Sequence, residues 1–177
     1  DIPDYLLFDD KAQKQKANQE NQPEKRYKHG RAVLEAKKWN LELDRKSSEA
    51  FSRIPSNQII RYLTNVDVAS EGRVTWGMLT NGRLWRLYFG RAQSKSEDFV
   101  EFDLAAILGL EGFQKEMESK NARYQDWLKV FYLLFQKPSF QRHWEGKTFH
   151  ELILEQGKFW ELKVTESLSD TVFQSVY

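Results

Sequence analysis

The sequence predicts an α/β protein in which a mixed β-sheet is flanked by helices and followed by a helical C-terminal extension. Three observations predict it. Short runs of strand-forming residues dominate the first hundred or so positions, with one well-marked helix among them. Two of these runs meet at an Asn-Gly pair. From Asn121 onward the apolar spacing changes from alternation to helical periodicity. The expected organisation is a core over 1–108 and a helical extension over 109–177.

Taken in order, Pro3 to Phe8 reads as a strand with Asp4, Leu6 and Phe8 on one face. Asp9 to His29 is almost wholly polar, so an exposed, mobile connection with at most a short helix is expected. In the next stretch, Gly30 to Lys38, the apolar run Ala32-Val33-Leu34 ends in Glu35-Ala36-Lys37-Lys38, a buried strand with charge at its C-terminal end. Alternation sets Val33, Glu35 and Lys37 on one face and Leu34, Ala36 and Lys38 on the other. Asn40 to Arg53 is a second polar connection. Pro55-Ser56-Asn57 supplies capping chemistry for a helix in which Ile59, Ile60 and Leu63 form an apolar stripe. Gln58 and Tyr62 lie four apart on that helix and so share a face; a surface glutamine and a half-buried core ring are the plain alternatives. Val74–Thr80 and Arg83–Phe89 alternate, are rich in aromatics and flank Asn81-Gly82, predicting a hairpin with a type I′ turn. Phe99 to Leu104 can add a strand. Asn121 is placed to cap a helix through Tyr124, Trp127, Leu128, Phe131, Tyr132 and Phe135, which Pro138 closes. Phe149–Glu155 and Phe159–Tyr177 read as two further helical pieces.

Composition narrows the function classes. Six Trp and twelve Phe among 177 residues provide the area for a folded core. With no cysteine there is neither a disulfide framework nor a thiolate metal site, which fits a reducing, cytoplasmic setting. The three histidines have no metal-type spacing. No apolar run is long enough to span a bilayer, so no membrane association is expected. Net charge is only +1, but Lys11 to Lys46 holds eleven basic against five acidic residues. Such a patch suits phosphates, with Lys14, Lys16, Lys25, Arg26 and Lys38 as its candidate DNA contacts, and a solvated polar loop is the equal alternative on charge alone. The chain begins without Met and ends within a helical pattern, as expected for a segment of a longer polypeptide.

An acid two residues before a lysine on one strand can address a single ligand. A carboxylate suits a hard cation, and an ammonium can orient a water and stabilise phosphoryl charge. The pattern occurs six times, at Asp9/Lys11, Glu35/Lys37, Asp44/Lys46, Glu118/Lys120, Glu145/Lys147 and Glu161/Lys163. Only Glu35/Lys37 ends an apolar β-type run and has a Pro-Asp at the head of another such run upstream.

Pro3-Asp4, then Glu35-Ala36-Lys37 at a strand end, then Gln58-Ile59-Ile60-Arg61-Tyr62 resembles the PD-(D/E)XK nuclease superfamily, in particular its RecB-like members with a QxxxY helix. The hairpin Trp76 to Tyr88 is similar to the N-terminal nuclease region of bacterial restriction-modification enzymes that carry a fused methyltransferase. Together these elements cover roughly residues 3 to 89. The resemblance implies a restriction-endonuclease-like fold and a Mg²⁺-dependent endodeoxyribonuclease, with Mn²⁺ as a substitute ion, acting on double-stranded DNA in phage defence. It implies Asp4 and Glu35 as metal ligands with the Ala36 carbonyl as a third, Lys37 on the water or phosphate, and Gln58 and Tyr62 as catalytic supports. Asp9 and Asp10 are alternatives to Asp4. It also implies a downstream methyltransferase or helicase domain, and S-adenosylmethionine would belong to that part alone. The contrasting expectation is a nuclease-fold module that binds DNA or a partner domain without cutting.

Overall fold

Five strands form one mixed sheet in the order of the sequence: β1 (Tyr5–Phe8), β2 (Gly30–Ala36), β3 (Trp76–Thr80), β4 (Leu84–Phe89) and β5 (Phe99–Asp103). The computed structural model describes residues 2–46, 53–110, 124–143 and 146–158. Neighbouring strands run antiparallel except β2 and β3, which are parallel. A parallel pair needs a crossover, and helix α2 (Pro55–Ala69) supplies it.

The crossover buries one face of the sheet. Ile59, Tyr62, Leu63 and Val66 of α2, spaced three, one and three apart, pack with Val33, Val74, Leu79 and Tyr88. Val33 pairs with Gly77 and Glu35 with Leu79, so all four face α2. A β-carbon on Gly77 would lie 2.9 Å from Leu63 Cδ1, so the missing side chain is what lets the helix approach. On the opposite face, the rings of Trp85 and Phe102 meet those of Trp127 and Phe131 from helix α4 (Tyr124–Phe135) edge-on at 5.7–6.0 Å. The single-turn helix α3 (Leu104–Ile107) follows β5, capped by the Asp103 carboxylate accepting from Ala106 N at 3.1 Å. The architecture is thus the expected mixed α/β sheet flanked by helices.

Several local expectations are corrected. The polar stretch from Asp9 to His29 is ordered as helix α1 (Lys11–Gln19) and a 3₁₀ helix (Pro23–His29). Asp10 caps α1 by accepting from Gln13 N at 2.8 Å, and Ala17 is buried. His29 and Lys28 then pair with Glu20 and Glu71. Polar composition signalled exposure here but not the tertiary pairs that fix it. Helix α2 starts at Pro55 with no side-chain cap; the Ser56 N–H instead donates to Leu43 O at 3.0 Å. The β3–β4 turn sits one residue later than expected. Gly82 has φ 84° while Asn81 is not left-handed, so Gly82 is the first central residue of a type II′ pattern. Asn81 instead accepts from Arg83 N and Leu84 N through Oδ1. The expected cap Asn121 and the pieces 109–123 and 159–177 lie wholly or largely outside the described residues.

The chain divides into two compact units, Asp1–Tyr132 and Leu133–Tyr177. In the second, a 3₁₀ helix (Lys137–Phe140) and the helical residues 149–158 surround a buried His150, whose Nε2 donates to Leu134 O at 2.7 Å and whose ring lies 4.5 Å from that of Phe140. Burial pushes its pKa below the ordinary histidine value. No helix among the described residues is long and apolar enough to cross a membrane.

One buried cation ties the first unit together. Arg86 of β4, 5% exposed, donates to both Asp44 oxygens at 2.6 and 2.7 Å and to Glu101 at 2.5 Å, and lies over the Phe99 ring at 4.5 Å. Arg86→Ala is expected to cost about 2 kcal/mol in denaturant unfolding, because it removes a buried guanidinium's charged hydrogen bonds and its packing over Phe99, while the carboxylates left behind are exposed to water. The Arg86 hydrogen bonds hold the Asp44 carboxyl below its ordinary value. A depressed carboxylate stabilises the fold above its unfolded pKa and loses that contribution as pH falls through the folded one. Stability should therefore fall below about pH 4 in the wild type, and less so in Asp44→Asn.

Candidate active site

At the C-terminal end of β2 the last apolar residues give way to Glu35, Ala36 and Lys37, and here the helix, the edge strand and the hairpin meet. Glu35 is 3% exposed although it is charged. Alternation fixes this: Val33 must face α2 to fill the core, so Glu35 faces it too. Burying a carboxylate without compensation is costly. Compensation comes from Lys37, two residues on and on the same face, whose Nζ donates to Glu35 Oε1, and from the Asp4 N–H, which donates to Oε2 at 3.2 Å.

Asp4 precedes the first residue of β1, and the antiparallel register that pairs Tyr5 with Leu34 brings it beside Glu35. Its Oδ2 accepts from Ala36 N at 2.9 Å. Each acid thus closes the backbone of the other strand, and two carboxylates from neighbouring strands share one end of the sheet. Asp4 is exposed and Glu35 buried, so the pair opens to solvent on the Asp4 side. Lys37 N donates to Thr80 O, on the β3 side. Strand geometry then turns the Ala36 carbonyl to the opposite side, the side of Asp4.

Helix α2 completes the cluster. Lys37 Nζ donates to Gln58 Oε1 at 2.9 Å, and Gln58 Nε2 donates to Tyr62 Oη at 2.5 Å. One turn of helix separates Gln58 from Tyr62, and the tyrosine ring is anchored in the core. The amide is therefore oriented from both ends, oxygen to the ammonium and nitrogen to the phenol. Gln58 is half-buried, and Tyr62 is a core ring whose hydroxyl also accepts from Gln58.

The structure separates Asp4 from the other acids near β1. Asp10 caps α1, and Asp9 accepts from Arg31 Nε at 2.7 Å and Arg73 at 3.3 Å beyond the other end of the strand. Lys14, Lys16, Lys25, Arg26 and Lys38 are all exposed, and none pairs ionically with another described residue. Other charges of the basic stretch are engaged: Lys28 with Glu71, Arg31 with Asp9, Lys37 with Glu35 and Arg45 with Glu42.

Oxygen donors alone, two carboxylates and a carbonyl, match a hard cation that keeps several waters, as Mg²⁺ does. No cluster of three or more His, Asp or Glu side chains suited to a metal occurs among the described residues. A two-carboxylate Mg²⁺ site does not need one, and the residues present fit that ion. Sequence reasoning missed the clamp on the chain leaving the site. Asn81 Nδ2 donates to Leu41 O at 2.7 Å and Asn40 N donates to Asn81 O at 3.1 Å, fixing the segment after Lys37 against the hairpin turn. The only signal available was a polar Asn after the uniformly buried strand β3. Comparison of the chain with protein-family models, curated proteins and solved structures returns no match.

Because the phenol fixes the amide, Tyr62→Phe should leave the core intact and cost about 1 kcal/mol, the net worth of one hydrogen bond. Gln58→Ala should cost about the same. The double variant is then expected to fall well short of the sum, and a chemical-denaturation double-mutant cycle measures the difference.

Proposed function

We propose that this protein is a Mg²⁺-dependent endonuclease with a restriction-endonuclease-like fold that hydrolyses phosphodiester bonds in double-stranded DNA, acting within a restriction-modification or related phage-defence enzyme. The observation that carries the reading is the connected set Asp4, Glu35, Lys37, Gln58 and Tyr62 at one end of the parallel β2–β3 pair. Supporting it, β1, β2, α2 and β3 follow one another in the order in which the sequence resemblance arranges its motifs.

Asp4, Glu35 and the Ala36 carbonyl would hold the ion, which supplies Lewis-acid charge and a more acidic water. The remaining roles fall to the chain. An ammonium has three donors. Glu35 and Gln58 take two from Lys37, and the third is left for the attacking water or a phosphate oxygen. Gln58, held by Tyr62, keeps the ammonium from swinging wholly onto Glu35. The partly buried setting strengthens each of these interactions relative to open water. Lys14, Lys16, Lys25, Arg26 and Lys38 are the cations available to the DNA backbone. A methyltransferase or helicase in the same polypeptide, the former with S-adenosylmethionine, would complete such an enzyme.

Glu35→Ala should abolish Mg²⁺-dependent cleavage of duplex DNA by the full-length protein. Lys37→Ala should abolish cleavage too. Lys147→Ala, from another acid–x–lysine pair, should cleave like wild type. Mg²⁺ at a hundred times its Kd should raise wild-type stability by about 2.7 kcal/mol. That increment should persist in Lys37→Ala and vanish in Glu35→Ala. Wild-type cleavage by Glu35→Ala would sink the assignment; DNA binding with no cleavage by any form would favour the non-cutting module.

Neutralising Lys14, Lys16, Lys25 and Arg26 together should flatten the log–log salt dependence of duplex binding by about 0.9 for each phosphate that is no longer neutralised. An unchanged slope would assign these lysines and the arginine to solvent.

A further inference from the structure

Trp39 follows the site by two residues, and its placement is not explained by packing. It is 56% exposed, whereas Trp76 on β3 is buried. Large exposed aromatics are usually mobile or covered by a partner, but this one is held. Its backbone is flanked by the Lys37 N–H to Thr80 O bond on one side and the Asn40 N–H to Asn81 O bond on the other. The chain turns at Asn40 with φ 56°, a left-handed conformation that Asn tolerates. The Cε3–Cζ3 edge of the ring lies against the hairpin turn: a β-carbon on Gly82 would stand 2.6 Å from Trp39 Cε3 and 3.1 Å from Cζ3. Gly82 thus serves two ends, since its φ of 84° makes the turn and its bare backbone seats the indole. Trp85 Nε1 donates to Gly82 O at 3.3 Å, holding that seat.

The result is a fixed aromatic plate with part of its surface in water. At most about 7 Å separates its α-carbon from that of Lys37, a distance of about two 3.4 Å base steps. The exposed Lys38 lies between them in the chain. An aromatic surface beside cations is the combination that holds nucleic acid without reading sequence, the ring against a base or sugar and the charges on phosphates.

We infer that Trp39 is a substrate contact, its exposed surface packing against the base or sugar of a nucleotide within two steps of the phosphate that is cut. The inference rests on the nuclease reading and extends it to where the cut strand lies: from the Asp4/Glu35 end, past Lys37, toward the β3–β4 turn. A splayed or unpaired nucleotide fits this surface better than a stacked one, because only then is a base face available to the indole.

The test is duplex binding by the full-length protein, followed by fluorescence anisotropy without divalent cation so that no strand is cut, alongside thermal unfolding. Trp39→Ala should weaken binding about tenfold and Trp39→Phe about threefold, as removal of a single stacking partner does. The salt slope should be unchanged because every phosphate keeps its cation. The thermal midpoint should stay within about 2 °C of wild type, since the ring is exposed. Unchanged affinity in Trp39→Ala, with or without a fall in the midpoint, would overturn the inference while leaving the nuclease reading intact; the ring would then be a cover for the hairpin turn. Failure of the wild type both to bind and to cut duplex DNA would overturn the two together.

Discussion

A carboxylate buried under a helix is the constraint on which this site depends. Glu35 is 3% exposed because strand alternation leaves no choice once Val33 fills the core. An ion in such a place must be matched by a donor or a counter-charge, and the nearest position on the same face is two residues along the strand. Lys37 occupies it. Lys37 is itself only partly exposed, so its remaining donors need acceptors, and the covering helix offers Gln58. Gln58 has an amide nitrogen to satisfy, and Tyr62 provides for it one helical turn further on. The chain of polar side chains can be read as successive answers to one desolvation problem. Each group in it is thereby held in one orientation by a partner.

The frame around the site is held at three places by different physics. Asp4 and Glu35 each accept the other strand's backbone N–H, so the edge strand is fastened by the acids themselves. Asn81 fastens the chain leaving Lys37 to the hairpin. Arg86 fastens the loop before α2 through Asp44, and the neighbouring Leu43 carbonyl receives the Ser56 N–H at the helix start. The hairpin thus supports both the end of the strand that carries Glu35 and the beginning of the helix that covers it. Two of the three anchors lie on the β3–β4 hairpin, which contributes no side chain to the polar cluster.

Opposite-face packing gives the sheet its second layer with different chemistry. Where α2 presents aliphatic side chains and one tyrosine, the α4 side is aromatic, with Trp85, Phe102, Trp127 and Phe131 meeting edge to face. The polar cluster is therefore confined to one face and one end of the sheet. The other face can carry large rings without obstructing it.

The sequence by itself determined the elements whose signals are local. Alternation and the Gly82 turn marked β3 and β4, helical spacing marked α2 and α4, and period 2 alone placed Glu35 and Lys37 together with Val33. It also singled out Asp4, Gln58 and Tyr62, though only through a resemblance in the order of motifs. Tertiary structure decided the rest. It set Asp4, and not Asp9 or Asp10, beside Glu35, because the register of β1 on β2 is set by pairing across the intervening helices and not by composition. It ordered the polar stretch after β1 through ion pairs between residues up to 64 positions apart, as Arg73 with Asp9 shows. It also moved the hairpin turn by one residue, since the Asn81 side chain is drawn to Leu41 and to its own turn. Local periodicity records which face a residue occupies. Which groups meet across that face depends on register and on long-range charge pairing, and these arise only when the strands and helices close on one another.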